Sequence, residues 1–242
     1  MNLILLFPDD FTHGDTVCLR DRRRVEHILR IQKAQSGDRL RVGLVNGLMG
    51  EALVTETSAD SIHLSVHLQY RPPPASPISM ILALPRPPML KRCLQTISAL
   101  GIKELILLQS ARVEKSYWQS PQLREEKIRE ELVLGLEQSC DTRLPNVRFA
   151  KRFRPFIEDE LTEHVATRQA LIAHPYASKP CPHGQTAPCV LAIGPEGGFL
   201  DQEIEAFSER GFTGVTLGER ILRVETAVPY LLGRLSDLLP DC

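Results

Sequence analysis

The sequence predicts an α/β protein in which a small β-barrel precedes a larger parallel sheet with helices on both faces. Three observations lead there. From residue 78 onward, apolar runs alternate with amphipathic helices in the βα rhythm of a parallel sheet. Before residue 70, short strands of alternating apolar and polar residues follow one another, separated by Gly, Asn, Asp and Ser. Between the two stands "YRPPPASP", Tyr70 to Pro77, whose three consecutive prolines lack donors for any ladder and hold an extended spacer. The expected division is residues 1–70, a linker at 71–77, and 78–242.

In the first region "MNLILLF" is apolar but runs into "PDDFTHGD" within a few residues, too short for a membrane span or a signal sequence, so it reads as a strand. "TVCL", "DRLRVGLV", "GEALVTET" and "SIHLSVHL" follow as further strands. "RRRVEHILRI" interrupts them as a helix, with Val25, Ile28, Leu29 and Ile31 on one side. His63 and His67 have the spacing of a helical metal pair, yet they sit in an alternating strand with Ser65 on the same face. They read as exposed polar positions, and no metal site is expected.

In the second region the strands are "ISMILALP", "KELILLQ", "QALIAH", "PCVLAIG" and "GVTLG", continuous apolar runs of the kind covered on both faces. The helices between them are "MLKRCLQTISALG", ending at Gly101, then "SPQLREEKIREELVLGLEQS", "DQEIEAFSERG" and "TAVPYLLGRLSDLL".

Charge and cysteine usage narrow the function. The formal net charge of the 242 residues is −1, so the whole-protein balance argues neither for nor against a polyanionic partner. Locally the picture differs. Between Arg20 and Arg41 there are eight basic residues (Arg20, Arg22, Arg23, Arg24, Arg30, Lys33, Arg39, Arg41) against Asp21, Glu26 and Asp38. Screening confines a field to about 10 Å, so such a patch can bind phosphates in a neutral protein; a solvated helix face is the plainer alternative. Six cysteines show no CxxC pair and no clustering with histidine, which fits a reducing, cytoplasmic setting.

Two turns carry the chemistry. "LAIGPEGGFLDQEIEAF" follows an apolar strand with Gly194, Pro195, Glu196, Gly197 and Gly198, then opens a helix. Glycines there let backbone amides approach a ligand at the carboxyl end of a strand. No lysine with Ser or Thr follows them and G-x-G-x-x-G is absent, which disfavours a phosphate loop. A cationic or zwitterionic nucleoside such as S-adenosylmethionine suits the residue types better. The second turn, "LGERILRVETAVPYLL", crowds Arg220, Arg223, Glu225 and Thr226 before an apolar helix. Its structural alternative is a helix capped by Thr226 with Arg223 paired to Glu225. Together the two turns read as one pocket.

"IGPEGGF" with "LGERILRVETA" closely resembles the RsmE family of 16S ribosomal RNA uracil-N3 methyltransferases, of the SPOUT class. "EHILRIQKAQSGDRLRV" resembles the family's RNA-binding segment, "LALP" with "LGIKELILLQSARVEKSYW" its first β-α-β unit, and "LEQSCDTRLPNV" its Glu-Gln-Ser motif. The resemblance implies a trefoil-knotted parallel sheet, a PUA-like N-terminal barrel, a homodimer, S-adenosylmethionine as cofactor, and one uridine of the decoding region of the small ribosomal subunit as target. Carried onto this sequence, the cofactor-binding residues are Leu171, Ile172, Ala173 and His174; Ile193, Gly194, Pro195, Glu196 and Gly197; and Leu217, Gly218, Ile221, Leu222, Arg223, Thr226 and Ala227. Arg20, Arg22, Arg23, Arg24, Arg30, Lys33 and Arg86 would face RNA.

Uracil N3 holds a proton at neutral pH, so its methylation needs that proton removed. Arg223 is the candidate for stabilising negative charge on the uracil oxygens; Glu225, Glu196 and His174 are the candidate bases. The sequence departs from the family's usual pattern at "RPPMLK", Arg86 to Lys91, and at Ala99. Leu200 stands where a Ser or Thr cap is usual, with Asp201 expected to cap one residue later. A catalytically silent RNA-binding factor, or a nucleotide-binding enzyme, are the alternatives.

Overall fold

A computed structural model describes residues 2–184 and 187–236. The expected helical residues 237–239 lie outside the described residues. The chain divides into two compact units, Met1–Pro74 with Leu132–Leu144, and Ala75–Glu131 with Pro145–Cys242.

The first unit is a six-stranded sheet of β1 (Ile4–Leu6), β2 (Phe11–His13), β3 (Thr16–Leu19), β4 (Arg39–Leu44), β5 (Met49–Thr57) and β6 (Ile62–Tyr70), in the order β1-β4-β5-β6-β3-β2. β1 runs parallel to β4 and the other pairs are antiparallel. Alternation puts Val17 and Leu19, Val42, Ala52 and Val54, and Ile62, Leu64 and Val66 into one buried cluster with Ile4 and Leu6. His67 is exposed on β6 as expected, but His63 is half-buried, because its strand position faces Cys18 of β3.

Helix α1 (Arg22–Glu26) is capped by Asp21, whose side chain accepts the Arg24 N–H, and it adds Val25 to the same core. It then widens into a π-helical turn, His27–Gln32, ending at Lys33 with a left-handed φ of 55°. The wider turn shifts the phase of the helix. Ile28 stays buried but Ile31, expected beside it, is 71% exposed. Residues Leu132–Leu144, which nothing in the sequence assigns to this unit, place Val133 and Leu136 against Leu3 and Leu5.

The second unit holds a sheet whose pairings are all parallel, in the order β11-β13-β10-β12-β7-β8-β9. Its strands are β7 (Ile78–Ala83), β8 (Glu104–Leu108), β9 (Asn146–Ala150), β10 (Gln169–Ala173), β11 (Lys179–Pro180), β12 (Cys189–Ile193) and β13 (Thr213–Thr216). The central β12 is buried along all five residues, as its apolar run predicts. β9 and β11 are edge strands; NVRFA exposes three of its five residues and lacks the apolar signature.

Helix α2 (Pro87–Ala99) buries Leu90, Cys93, Leu94 and Ile97, and Gly101 turns the chain away at φ 79°. α3 (Glu125–Ser139) follows β8, and short helical segments α4 (Phe153–Pro155) and α5 (Leu161–Val165) follow β9. α6 (Asp201–Glu209) and α7 (Val224–Leu235) follow β12 and β13.

Two capping expectations are corrected. Asp201 makes no cap: Glu203, in the first turn, folds back to accept the Leu200 N–H at 2.9 Å. α7 begins with Arg223 as its N-cap, so Thr226 lies inside the first turn, and Arg223 makes no ion pair among the described residues. No described helix is long and apolar enough to cross a membrane.

Candidate functional site

β10, β12 and β13 are adjacent and parallel, so their carboxyl ends open on the same side of the sheet. A cavity of about 370 Å³ lies there. β10 contributes Ala173 and His174, with Pro175 and Tyr176 beyond them; β12 contributes Ile193 and the turn through Phe199; β13 contributes Val215, Thr216 and Leu217. Arg220, Ile221 and Leu222, then Val224, Ala227 and Leu231 of α7, close another side, and Arg112 reaches in from the loop after β8.

The glycine turn is built by backbone geometry. Gly198 donates its N–H to the Pro195 carbonyl at 2.8 Å and holds φ at 73°, a left-handed conformation that suits glycine. A Cβ on Gly194 would press on Phe199 N and Cδ2, each at 3.1 Å. Phe199 is anchored in turn against Phe207, 5.3 Å between ring centroids, and Phe207 packs on Phe212 and Phe153. The Arg112 guanidinium donates to the Gly197 carbonyl, and Glu203, buried, also accepts the Ala111 N–H at 2.8 Å. Across the cavity the His174 N–H bonds the Val215 carbonyl at 2.9 Å, and the Thr216 hydroxyl accepts the Gly218 N–H at 3.2 Å.

The wall is therefore mostly apolar side chains and peptide groups. Among the described residues its cations are Arg112 and Arg220, its carboxylate is Glu196, and no lysine lines it. Behind it on α2, burial, then the charges of Glu225 and Glu196, push the Cys93 thiol up to about 12. That thiol stays protonated.

Of the residues expected at a cofactor site, Ala173, His174, Ile193, Gly194, Pro195, Glu196, Gly197, Leu217, Ile221, Leu222 and Ala227 line the cavity. Leu171 and Ile172 are buried in β10, short of the strand end. Gly218, Arg223 and Thr226 are exposed beside the lining without belonging to it, and Glu225 is half-buried in the first turn of α7. Arg220, named in the second turn, also lines the cavity, whereas sequence reasoning missed Arg112, Tyr176, Phe199 and Thr216 as lining residues. Phe199, the apolar end of "PEGGF", carried a signal; Arg112 carried none, since only the fold brings its loop to the turn.

The basic segment of the first unit is uneven. Arg20, Arg22, Arg30 and Lys33 are exposed, Arg22 pairing with Glu26 at 3.0 Å. Arg23 grips both oxygens of the buried Glu137 at 2.6 and 3.2 Å. Arg24 must be withdrawn from any RNA-facing set. It is 6% exposed and forks onto Asp10 at 2.6 and 2.9 Å, so its charge is neutralised internally. Arg86 is exposed at the start of α2.

The RNA methyltransferase domain family matches residues 72–236. The ribosomal RNA small subunit methyltransferase E of Treponema pallidum is 31% identical over 235 residues, covering 94% of this chain and 87% of that one. The chain belongs to the RsmE family. A second relative, methyltransferase E 1 of Borreliella burgdorferi, is 22% identical and covers 94% of each RsmE chain. The crystal structure of the Neisseria gonorrhoeae methyltransferase E, bound to S-adenosyl methionine, shares the RsmE fold with a TM-score of 0.75 at 24% identity, over 96% of this chain and 95% of that one. Among the described residues no group of three His, Cys, Asp or Glu could hold a metal ion.

Proposed function

We propose that this protein methylates N3 of one uridine in 16S rRNA of the small ribosomal subunit, with S-adenosylmethionine as donor. The observation that carries the reading is the cavity at the ends of β10, β12 and β13, in a chain of an RNA methyltransferase family. Its lining suits that donor. A nucleoside with a positive sulfur needs peptide groups, apolar walls and a carboxylate, and among the described residues the lining offers the Gly194–Gly198 turn, Glu196 and no lysine, with Arg112 engaged by the Gly197 carbonyl. Ala173 and His174, Ile193 to Gly197, Leu217, Ile221, Leu222 and Ala227 would hold it.

Bound there, S-adenosylmethionine supplies a methyl group already activated on its sulfonium. The chain's own tasks are to align the uracil, take its N3 proton and stabilise the charge that remains. Arg223, exposed at the N-cap of α7 and without an ion pair among the described residues, is assigned the developing negative charge on the uracil oxygens. Glu225, two residues on and half-buried, is assigned the proton. The target base must be splayed from its stack to be reached.

The reading includes a knotted second unit, a PUA-like first unit, a homodimer and a cytoplasmic location. The strand order supports the knot, because β12 enters between β10 and β7 after both have formed in sequence. The mixed sheet around one core, with α1 carrying Arg20, Arg22, Arg30 and Lys33 at or near it, supports an RNA-binding first unit.

The test is transfer from labelled S-adenosylmethionine to small subunits from cells lacking the protein, followed by nucleoside analysis. 3-Methyluridine at a single rRNA site is expected, with Arg223→Ala lowering the rate by about 100-fold or more at nearly unchanged cofactor affinity. Cofactor binding without rRNA labelling would overturn the substrate assignment.

A further inference from the structure

Glu196 is the carboxylate of the cavity wall, and sequence alone offers it as a base. In the structure its Oε1 accepts the backbone N–H of Arg86 at 3.0 Å. That donor occupies a particular place. Pro87 and Pro88 open α2 without N–H groups, and the Met89 and Leu90 amides are satisfied by the Arg86 carbonyl at 2.8 and 2.9 Å. Glu196 thus bonds the amide that leads into α2, where a helix also favours negative charge.

The same turn is held from its other side. Arg112 donates to the Gly197 carbonyl, and Glu203 ties the neighbouring Ala111 amide to the start of α6. The Pro195–Gly198 turn therefore sits between the loop after β7 and the loop after β8. Those loops carry polar groups beside the cavity: the Arg86 side chain neighbours the Tyr117 hydroxyl, which donates to Glu114 at 3.0 Å.

We propose that Glu196 is a positioning residue rather than the proton acceptor: it latches the cofactor turn to the first turn of α2 and so sets where Arg86 and Tyr117 meet the RNA. This deepens, and rests on, the methyltransferase reading. The role needs a hydrogen-bond acceptor at this position and no titration.

Three variants separate the roles. Glu196→Gln keeps an acceptor, and Glu196→Ala removes it. Glu196→Gln is expected to keep the shape and midpoints of the wild-type pH profile of kcat, while Glu196→Ala raises KM for RNA by about tenfold. Glu225→Gln serves as the contrast and is expected to lower kcat by about 100-fold. A second readout needs no activity. A peptide covering Leu84 to Leu90 contains few exchangeable amides, because Pro85, Pro87 and Pro88 have none. Its hydrogen exchange is expected to speed up by about tenfold in Glu196→Ala and to stay near wild type in Glu196→Gln.

A loss of about 100-fold or more in Glu196→Gln with an altered pH profile overturns the inference and makes Glu196 the base. Unchanged exchange in Glu196→Ala overturns it as well. If the wild-type protein transfers no methyl group, that counts against the methyltransferase reading, and the exchange readout still decides whether the latch exists.

Discussion

Arg24 reaches the Leu5 carbonyl and Arg112 reaches the Gly197 carbonyl, each through Nη1. Around that shared contact everything else differs. Arg24 is buried, forks onto Asp10, also meets Asp21 at 3.2 Å, and lies over the Phe7 ring with 5.2 Å to its centroid. Arg112 is exposed, and its guanidinium holds a turn that lines a cavity. Burial decides what a cation of this kind does: enclosed with its carboxylate it holds up a core, and open to solvent it adjusts a site.

The first way to break this comparison is to remove both side chains. Arg24→Met leaves the Asp10 carboxylate buried without its partner and is expected to cost about 3–5 kcal/mol in denaturant unfolding. Arg112→Met is expected to change stability by less than about 1 kcal/mol, while weakening cofactor binding in calorimetry by about tenfold. Equal stability losses would dissolve the distinction.

The glycine turn sharpens it at intermediate scale. Gly194→Val adds atoms where a single Cβ already meets Phe199 at 3.1 Å, so it should cost about 1–3 kcal/mol and reduce cofactor affinity more than Arg112→Met does. Undiminished affinity would show that the turn can retreat without harm.

The smallest effect lies at the amino ends of the sheet strands, near a separate cavity of about 190 Å³ lined by Ser79, Glu104, Arg148 and His164 among others. Burial, then the Arg148 charge, hold His164 below its ordinary 6.5. The folded state therefore resists protonation that the unfolded chain accepts. The stabilising contribution is full above about pH 6.5, declines as pH falls from there through the folded-state value, and is flat below it. His164→Gln should remove that slope from a series of unfolding curves between pH 5 and 7, leaving stability above pH 7 nearly unchanged.

The sheet was most readable where it is most buried. β7, β8 and β12 announce themselves as apolar runs because both faces of those strands are covered, whereas β9 and the two-residue β11, at the sheet edges, have no reason to be apolar. The helix that carries Val25 and Ile28 was legible, but its π turn was not, since an α-helical period projects Ile31 onto the wrong face. At the site, Gly194 and Gly198 could be picked out because backbone demands leave a trace in residue type. Arg112 and Glu203 could not, because their partners stand 85 and 92 residues away in the chain.

Periodicity and glycine act locally, so the parallel sheet and the two turns beside the cavity were already written in the chain. Only the tertiary structure decided which charges are free. Arg24 and Arg30 sit in the same basic run, yet one is enclosed with Asp10 and the other lies open to water. Glu196 and Glu203 follow the same strand, yet one bonds the Arg86 amide and the other the Ala111 amide. Pairing between distant segments is set by which surfaces the packed core brings within hydrogen-bond reach, and local composition carries no record of that.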